Sequence, residues 1–257
     1  MATRAARPAS PLAAFVLHQY AWSESSLILD LFTREQGRLA VVAKGAKRPH
    51  SQLRAVLLPF QRIHVAFGRA SGAEGGSEVQ NLRHAEWAGG AAMLTGAALF
   101  SGFYLNELLM KLLARHDPHP VLFDAYAAAL PSLASTDDTR VQQALRAFEL
   151  TLLQQVGLLP ELDVVTQTQQ PVDAAGGYAL LPEVGLARAR PDDPPLRAAT
   201  LVALQAALEH GSVPALQQAC AGDLPALRTQ LRALLHYHLG HAPLRTRQVM
   251  LDVQGLA

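Results

Sequence analysis

Apolar and polar positions alternate along the first third of the chain, then recur at helical spacing. "AAFVLHQY" (13–20) and "SLILDLFT" (26–33) read as strands, and the polar break "AWSES" between them suits a connection between antiparallel neighbours. "REQG" (34–37) turns the chain into "RLAVVAK" (38–44). "AVLLPFQRIHVAF" (55–67) predicts a fourth strand with Pro59 at a bulge or an edge, because proline cannot donate to a sheet ladder. After the Gly/Ser-rich loop "GRASGAEGGSE" (68–78), "EVQNLRHAEW" (78–87) supplies the fifth. Five short strands with long connections fit a small Greek-key barrel of the OB type.

From Ala88 the period becomes helical. "AAMLTGAALFSGFYLNELLMKLLAR" predicts a long buried helix, with a bend at Gly96 or Gly102 as an option. "HPVLFDAYAAALPSLA" follows a Pro-marked turn at 117–120. "DDTRVQQALRAFELTLLQQVG" starts at Asp137 or Asp138 as N-cap and stops at Gly157, with Val141, Leu145, Phe148, Leu152 and Val156 as its core-facing stripe. Residues 159–195 are rich in Pro and Gly and hold no clear helix. "LRAATLVALQAALEH", "SVPALQQACA" and "LPALRTQLRALLHYHLG" complete the bundle. The expected fold is α+β and multidomain: a five-stranded OB-fold β-barrel over 1–86, then an α-helical bundle domain over 87–245 with an irregular insertion at about 159–195. A tail follows at 246–257.

Charge separates these two parts. Residues 1–85 hold eleven Lys/Arg against five Asp/Glu, and residues 86–257 hold eleven against sixteen. The near-neutral whole therefore hides a basic part that suits a polyanion and an acidic part that does not. The excess is concentrated: from Gln36 to Ala73 there is no acidic residue, and two of the three lysines stand in "VVAKGAKRPH". Lys44, Lys47, Arg48 and Arg54, with Arg34 and Arg38 before them, are the candidate phosphate contacts. Trp22, in a polar turn rather than on an alternating strand, is the candidate base-stacking residue among Phe15, Tyr20, Trp22, Phe32, Phe60 and Phe67, and core packing is the competing role for the rest.

Other chemistry is thinly represented. Cys220 is a lone cysteine within an apolar helical pattern, which excludes an internal disulfide and a multi-cysteine zinc site. His236, His238 and His241 in "HYHLGH" lack acidic or cysteine neighbours, and His116 and His119 in "RHDPHP" suit local hydrogen bonds, so no metal is expected. No nucleophile elbow, zinc-protease or P-loop pattern occurs, and the carboxylate pairs Asp137/Asp138 and Asp192/Asp193 are explained by capping and solvation. A binder without cofactor is expected rather than an enzyme. "WAGGAAMLTGAALFSGFYLN" (87–106) is uncharged, but its glycines and polar residues fit a helix packed among helices better than a membrane span. With no signal-peptide pattern in the first twelve residues, the expected location is the cytoplasm. Arg146, between Leu145 and Phe148 on an amphipathic helix, suits an acidic-hydrophobic peptide terminus; a surface pair with Glu149 or Gln142 is the alternative.

"AFVLHQYAWSESSLILDLFTREQGRLAVVAKGAKRPHSQLRAVLLPF", "GFYLNELLMKLLARHDPHPVLFDAY" and "LRAFELTLLQQVGL" together resemble the RecO recombination-mediator proteins of bacteria, with a weaker echo in "LGHAPLRTR". The resemblance implies an OB-fold followed by a helical domain, binding to single- and double-stranded DNA, and annealing of complementary strands. It also implies engagement of the acidic tail of single-strand-binding protein, and action with RecR in loading the recombinase RecA. It assigns tail binding to Arg146; Leu145 and Phe148 beside it are the candidate apolar side of that site, with burial in the bundle core as the alternative. Some members carry a four-cysteine zinc site after this helix; "LDVVTQTQQPVDAAGGY" has no cysteine, so zinc is not carried over. An OB-fold accessory to RNA metabolism or translation is the alternative function.

Overall fold

The computed structural model describes residues 11–68, 79–89, 93–240, 244–246 and 248–249. The N-terminal arm, Arg69 with most of the Gly/Ser-rich loop, His241 and the tail beyond Val249 lie outside the described residues. Two compact units are present: one comprises Met1–Ala92 with Ala114–Pro120, the other Met93–Leu113 with Val121–Ala257.

In the first unit β1 (Leu12–Ala21), β2 (Leu27–Thr33), β3 (Gly37–Ala43), β4 (Arg62–Phe67) and β5 (Val79–Trp87) close a barrel in the order β1-β2-β3-β5-β4. Only β3 and β5 run parallel. This is the five-stranded OB-type barrel expected from the alternation. Ala14, Val16, Leu29, Leu31, Leu39, Val41, Ile63 and Val65 fill its interior, each reached by the period of two along its strand. Ala46 and Leu57 plug one end.

The predicted fourth strand is corrected. Residues 53–56 form a short helix, α1 (Leu53–Val56), and β4 starts only at Arg62. The break lies at Pro59 and Phe60: Pro59 makes one isolated bridge to Val16, and Phe60 takes φ 65°, so no continuous ladder can pass through them.

One irregularity decides what β1 presents outside. Its register with β2 shifts between Val16 and His18, leaving Leu17 as an extra residue. Val16 points into the barrel, yet beyond the bulge Gln19 takes the inward position opposite Leu29, and its Nε2 donates to the Leu57 carbonyl. His18 and Tyr20 consequently face outwards, opposite Asp30 and Ile28.

Residues 114–117 return to this barrel. Arg38 and Arg115 form a parallel bridge, and His116 N–H donates to the Arg38 carbonyl at 3.0 Å. Gly37, at φ 69°, lies so close that a Cβ would overlap the Asp117 main chain.

The second unit is helical: α2 (Gly96–Leu112), α3 (Pro120–Leu133), α4 (Asp138–Gln155), α5 (Ala198–Glu209), α6 (Val213–Cys220) and α7 (Leu224–His238). Asp137 caps α4 by accepting from Thr139 N–H at 3.0 Å, and α2 begins at Gly96 instead of bending there. Polar groups of α2 are matched inside the unit. Tyr126 Oη donates to Asn106 at 2.6 Å, and Glu107 accepts from the Arg245 and Thr246 amides.

The segment 159–195 contains more order than its composition implies. β8 (Gly177–Leu181) pairs with β9 (Gly185–Arg188) and with β10 (Leu196–Arg197), while β6 (Val164–Val165) pairs with β7 (Gln170–Pro171). Side chains hold these pieces together. Thr166 Oγ1 accepts from Leu186 N–H at 2.8 Å, and Tyr178 Oη accepts from Asp173 N–H at 2.6 Å. Arg188 lies over the Tyr178 ring and pairs with Asp173.

Gly37→Ala is expected to destabilise the barrel by about 1–3 kcal/mol or more, since left-handed strain and overlap with Asp117 combine. Gly211→Ala, also left-handed but open, should lose only the strain, about 1–2 kcal/mol. Urea denaturation of both variants measures the difference. Equal losses would show that the return of residues 114–117 does not constrain Gly37.

Candidate nucleic-acid interface

The β1–β2 turn and the loop after β3 are fastened to each other. Lys47 N–H donates to the Ser25 carbonyl at 2.9 Å, and Lys47 Nζ donates to the Ser23 carbonyl at 2.8 Å. The "AKGA" step explains the shape of the loop. Gly45 at φ 72° reverses the chain, Ala46 is swallowed by the barrel, and Lys44 is left outside. Lys44, Lys47, Arg48 and Arg54 are all exposed, and none of them forms an ion pair among the described residues. Trp22 stands on the adjoining turn with 65% of its surface accessible. Five of the seven expected contact residues therefore gather at one end of the barrel.

Arg34 and Arg38 do not join them. Both lie at the far end of the β2–β3 hairpin, about 20 Å away along seven-residue strands. Arg34 is half-buried in the turn. Arg38 keeps only 14% of its side chain exposed and sits 3.6 Å from Asp30, with Arg115 3.4 Å from the same carboxylate. A buried carboxylate between two guanidinium groups needs both to offset its desolvation, so Arg38 serves Asp30 rather than a free phosphate-binding surface.

The bulge adds residues that alternation alone misplaces. With His18 and Tyr20 turned outwards, an aromatic row leads from the exposed Trp22 into the sheet face. His18 packs edge-on against Tyr20 at 4.5 Å between ring centroids. Tyr20 lies near Asp30; burial first, then the Asp30 charge, raises its pKa. Arg115 escaped sequence reasoning altogether, because only the return of its segment to the barrel places it there. Of the other aromatics, Phe15, Phe32 and Phe60 are buried and Phe67 is half-buried.

In the helical unit the expected partner-binding set is buried. Leu145 and Phe148 are 7% and 1% exposed, and Phe148 packs edge-to-face on Tyr126. Their spacing on α4 puts them in the core, so of the two roles open to them the structure shows the core-facing one. Arg146 is also enclosed. Its Nη2 donates to Glu149 Oε1 at 2.7 Å, and Tyr104 Oη donates to the same oxygen at 2.7 Å. Among the described residues, Arg146 Nε and Glu149 Oε2 have no hydrogen-bond partner. Burial raises the Glu149 pKa, opposed by Arg146, Tyr104 and Arg228. The pair with Glu149 does occur, but inside the protein instead of on its surface. Nearby Cys220 is buried, and that burial pushes its thiol pKa up to about 12.

His119 Nε2 meets Asp117 Oδ2 at 3.2 Å, a local contact within its turn. Among the described residues, no group of three or more His, Cys, Asp or Glu is arranged to hold a metal ion, and no helix is long and apolar enough to cross a membrane.

Comparison with known proteins agrees with this architecture in both parts. Residues 11–90 match the family described as "Recombination protein O N terminal", and residues 93–248 match "Recombination protein O C terminal". The chain is 55% identical over 245 residues to "DNA repair protein RecO" of Polaromonas naphthalenivorans (strain CJ2), covering 95% of this chain and 96% of that one. It is 49% identical over 263 residues to the protein of the same name from Acidovorax ebreus (strain TPSY), covering 98% of this chain and all of the relative. An OB-type barrel with a fastened basic loop, a helical unit built around α4, and likeness along nearly the whole chain all lead to one assignment: the protein belongs to the RecO family.

Proposed function

We propose that this protein is a recombination mediator in DNA repair, a binder without catalytic chemistry of its own. It holds single- and double-stranded DNA, anneals complementary strands, and helps load RecA onto DNA coated with single-strand-binding protein. The observation that carries this reading is the loop of Lys44, Lys47, Arg48 and Arg54, exposed and fastened beside Trp22. Fixed cations without acidic partners gain most from displacing the counterions of a polyanion. The names of the relatives support repair as the setting.

RecR and the acidic tail of single-strand-binding protein are the proposed protein partners. Arg146 is enclosed and its Nη2 is held by Glu149 at 2.7 Å, so a tail carboxylate would have to enter the interior and take the donors that Glu149 leaves unused. Recognition at Arg146 thus requires local opening around α4.

Replacing Lys44, Lys47 and Arg48 by Glu is expected to weaken DNA binding while costing little stability beyond the one hydrogen bond from Lys47 to the Ser23 carbonyl, about 1 kcal/mol, as all three side chains are exposed. Contact with about four to six phosphates gives a slope of log K against log salt of roughly −3 to −4 on single strands. A slope near zero, or wild-type affinity in the triple variant, would refute the phosphate contacts. Annealing of complementary strands coated with single-strand-binding protein tests the mediator role directly.

Arg146→Ala should cost about 3–5 kcal/mol of stability, because Glu149 is left buried without its cation. Adding Glu149→Leu should restore much of that loss. Chemical denaturation of single and double variants checks this, and a fully stable Arg146→Ala protein would mean that the side chain is free for a partner.

A further inference from the structure

We propose that Lys47 is a positioning residue of the nucleic-acid interface rather than one of its phosphate contacts. Its two bonds to the β1–β2 turn hold that turn and the basic loop as one body. The proposal rests on the nucleic-acid reading above and divides the labour within it, between cations that bind and the one that sets the frame.

The construction of the two segments gives the first reason. The β1–β2 ladder ends at the pair Ala21 and Leu27, and the turn beyond it closes on itself. Trp22 and Ser23 N–H donate to the Ser26 carbonyl at 3.2 and 3.4 Å, and Ser26 N–H donates to Ser23 Oγ at 3.2 Å. The loop leaves β3 after Ala43 and is closed by bonds of its own. Arg48 N–H donates to the Gly45 carbonyl, Ser51 N–H to the Arg48 carbonyl and Arg54 N–H to the Ser51 carbonyl, at 3.1, 3.0 and 3.3 Å. Each segment thus keeps its shape but can swing on its stem. Among the described residues, the hydrogen bonds that join one to the other both come from Lys47.

The second reason is that the join has two points. Lys47 N–H reaches the Ser25 carbonyl at 2.9 Å, and its Nζ reaches the Ser23 carbonyl at 2.8 Å. A single bond would leave a pivot. Two bonds to alternate carbonyls, one from the main chain and one from the end of a long side chain, resist rotation. Arg48, the next residue, lies folded over Gly45, with its Cδ and Nε 3.5 Å from where a Cβ would stand, so this guanidinium moves with the tether.

The third reason is the kind of bond. Glu24 stands between the two accepting residues, yet it forms no ion pair with Lys47 among the described residues. The ammonium is held by a main-chain carbonyl, so salt that screens exposed charge pairs leaves the tether in place. Lysine suits the task, as a compact charge on a long stem whose donors turn freely. Lys44 is exposed and bonds to no other side chain or carbonyl among the described residues, which leaves it available to phosphate. Order built into the fold need not be supplied at binding, and that is what the tether contributes to affinity.

The test compares Lys47→Met with Lys44→Met in the full chain, each removing one exposed charge from the same loop. A Trp87→Phe background leaves Trp22 as the sole tryptophan, a reporter on the tethered turn. Without nucleic acid, Lys47→Met is expected to speed the local depolarisation of Trp22 fluorescence, and Lys44→Met to leave it unchanged. With an oligonucleotide, Lys47→Met should lower affinity about three- to tenfold while keeping the wild-type slope of log K against log salt. Lys44→Met should reduce the magnitude of that slope by about 0.7 on single strands, as one phosphate contact is lost. An equal fall in slope for Lys47→Met would overturn the proposal and make Lys47 an ordinary phosphate contact. Wild-type affinity in Lys47→Met, or Trp22 depolarisation unchanged by it, would overturn it as well while leaving Lys44 and Arg48 as contacts. Wild-type affinity in both variants and in the Lys44/Lys47/Arg48 triple variant would remove the nucleic-acid reading itself, and this proposal with it.

Discussion

Side chains on a strand alternate with a period of two, so one added residue turns everything beyond it over. Leu17 is that residue in β1. If Leu17 were paired in an unbroken ladder instead, His18 and Tyr20 would point into the barrel and displace the apolar filling beside Leu29 and Leu57. With the bulge the interior receives only Gln19, whose amide finds the Leu57 carbonyl, and the polar aromatic residues emerge on the outside. The interior, the plugged end and the exposed face thus all depend on one register shift.

The two units manage buried charge differently. In the barrel, Asp30 is compensated by Arg38 and Arg115, which arrive from β3 and from the returning segment. In the helical unit, Arg146 and Glu149 come from one helix, with Tyr104 donating to the same carboxylate oxygen. Buried pairs of this sort contribute little net stability compared with apolar packing, but they punish the loss of either member. They therefore fix an arrangement more than they strengthen it.

Sequence reading recovered the barrel wherever alternation was uninterrupted. β1, β2, β3 and β5 lie close to their expected places, and most helices match their periodic stretches within a few residues. It failed where local pattern is ambiguous. "AVLLPF" is a continuous apolar run, which fits a helix turn as readily as a strand. The strands of 159–195 are two to five residues long, too short to show a period. At the candidate site, the loop cations were legible because unpaired like charges near glycine and proline mark an exposed turn. Arg38 and Arg146 were not, because sequence does not show which arginine has a buried carboxylate beside it. Nothing in "FVLHQY" marks the bulge, so the outward turn of Tyr20 was hidden as well.

The return of residues 114–117 bears on what can be separated from what. The barrel does not end where its fifth strand ends: it borrows a bridge, a guanidinium and the roof over Gly37 from chain that comes after the whole of α2. A fragment cut near residue 92 would keep all five strands, yet Asp30 would lose one of its two cations and the Arg38 carbonyl its donor. The first unit is therefore complete only once the first helix of the second has been synthesised. A barrel exchanged as a simple N-terminal cassette would leave these contacts behind.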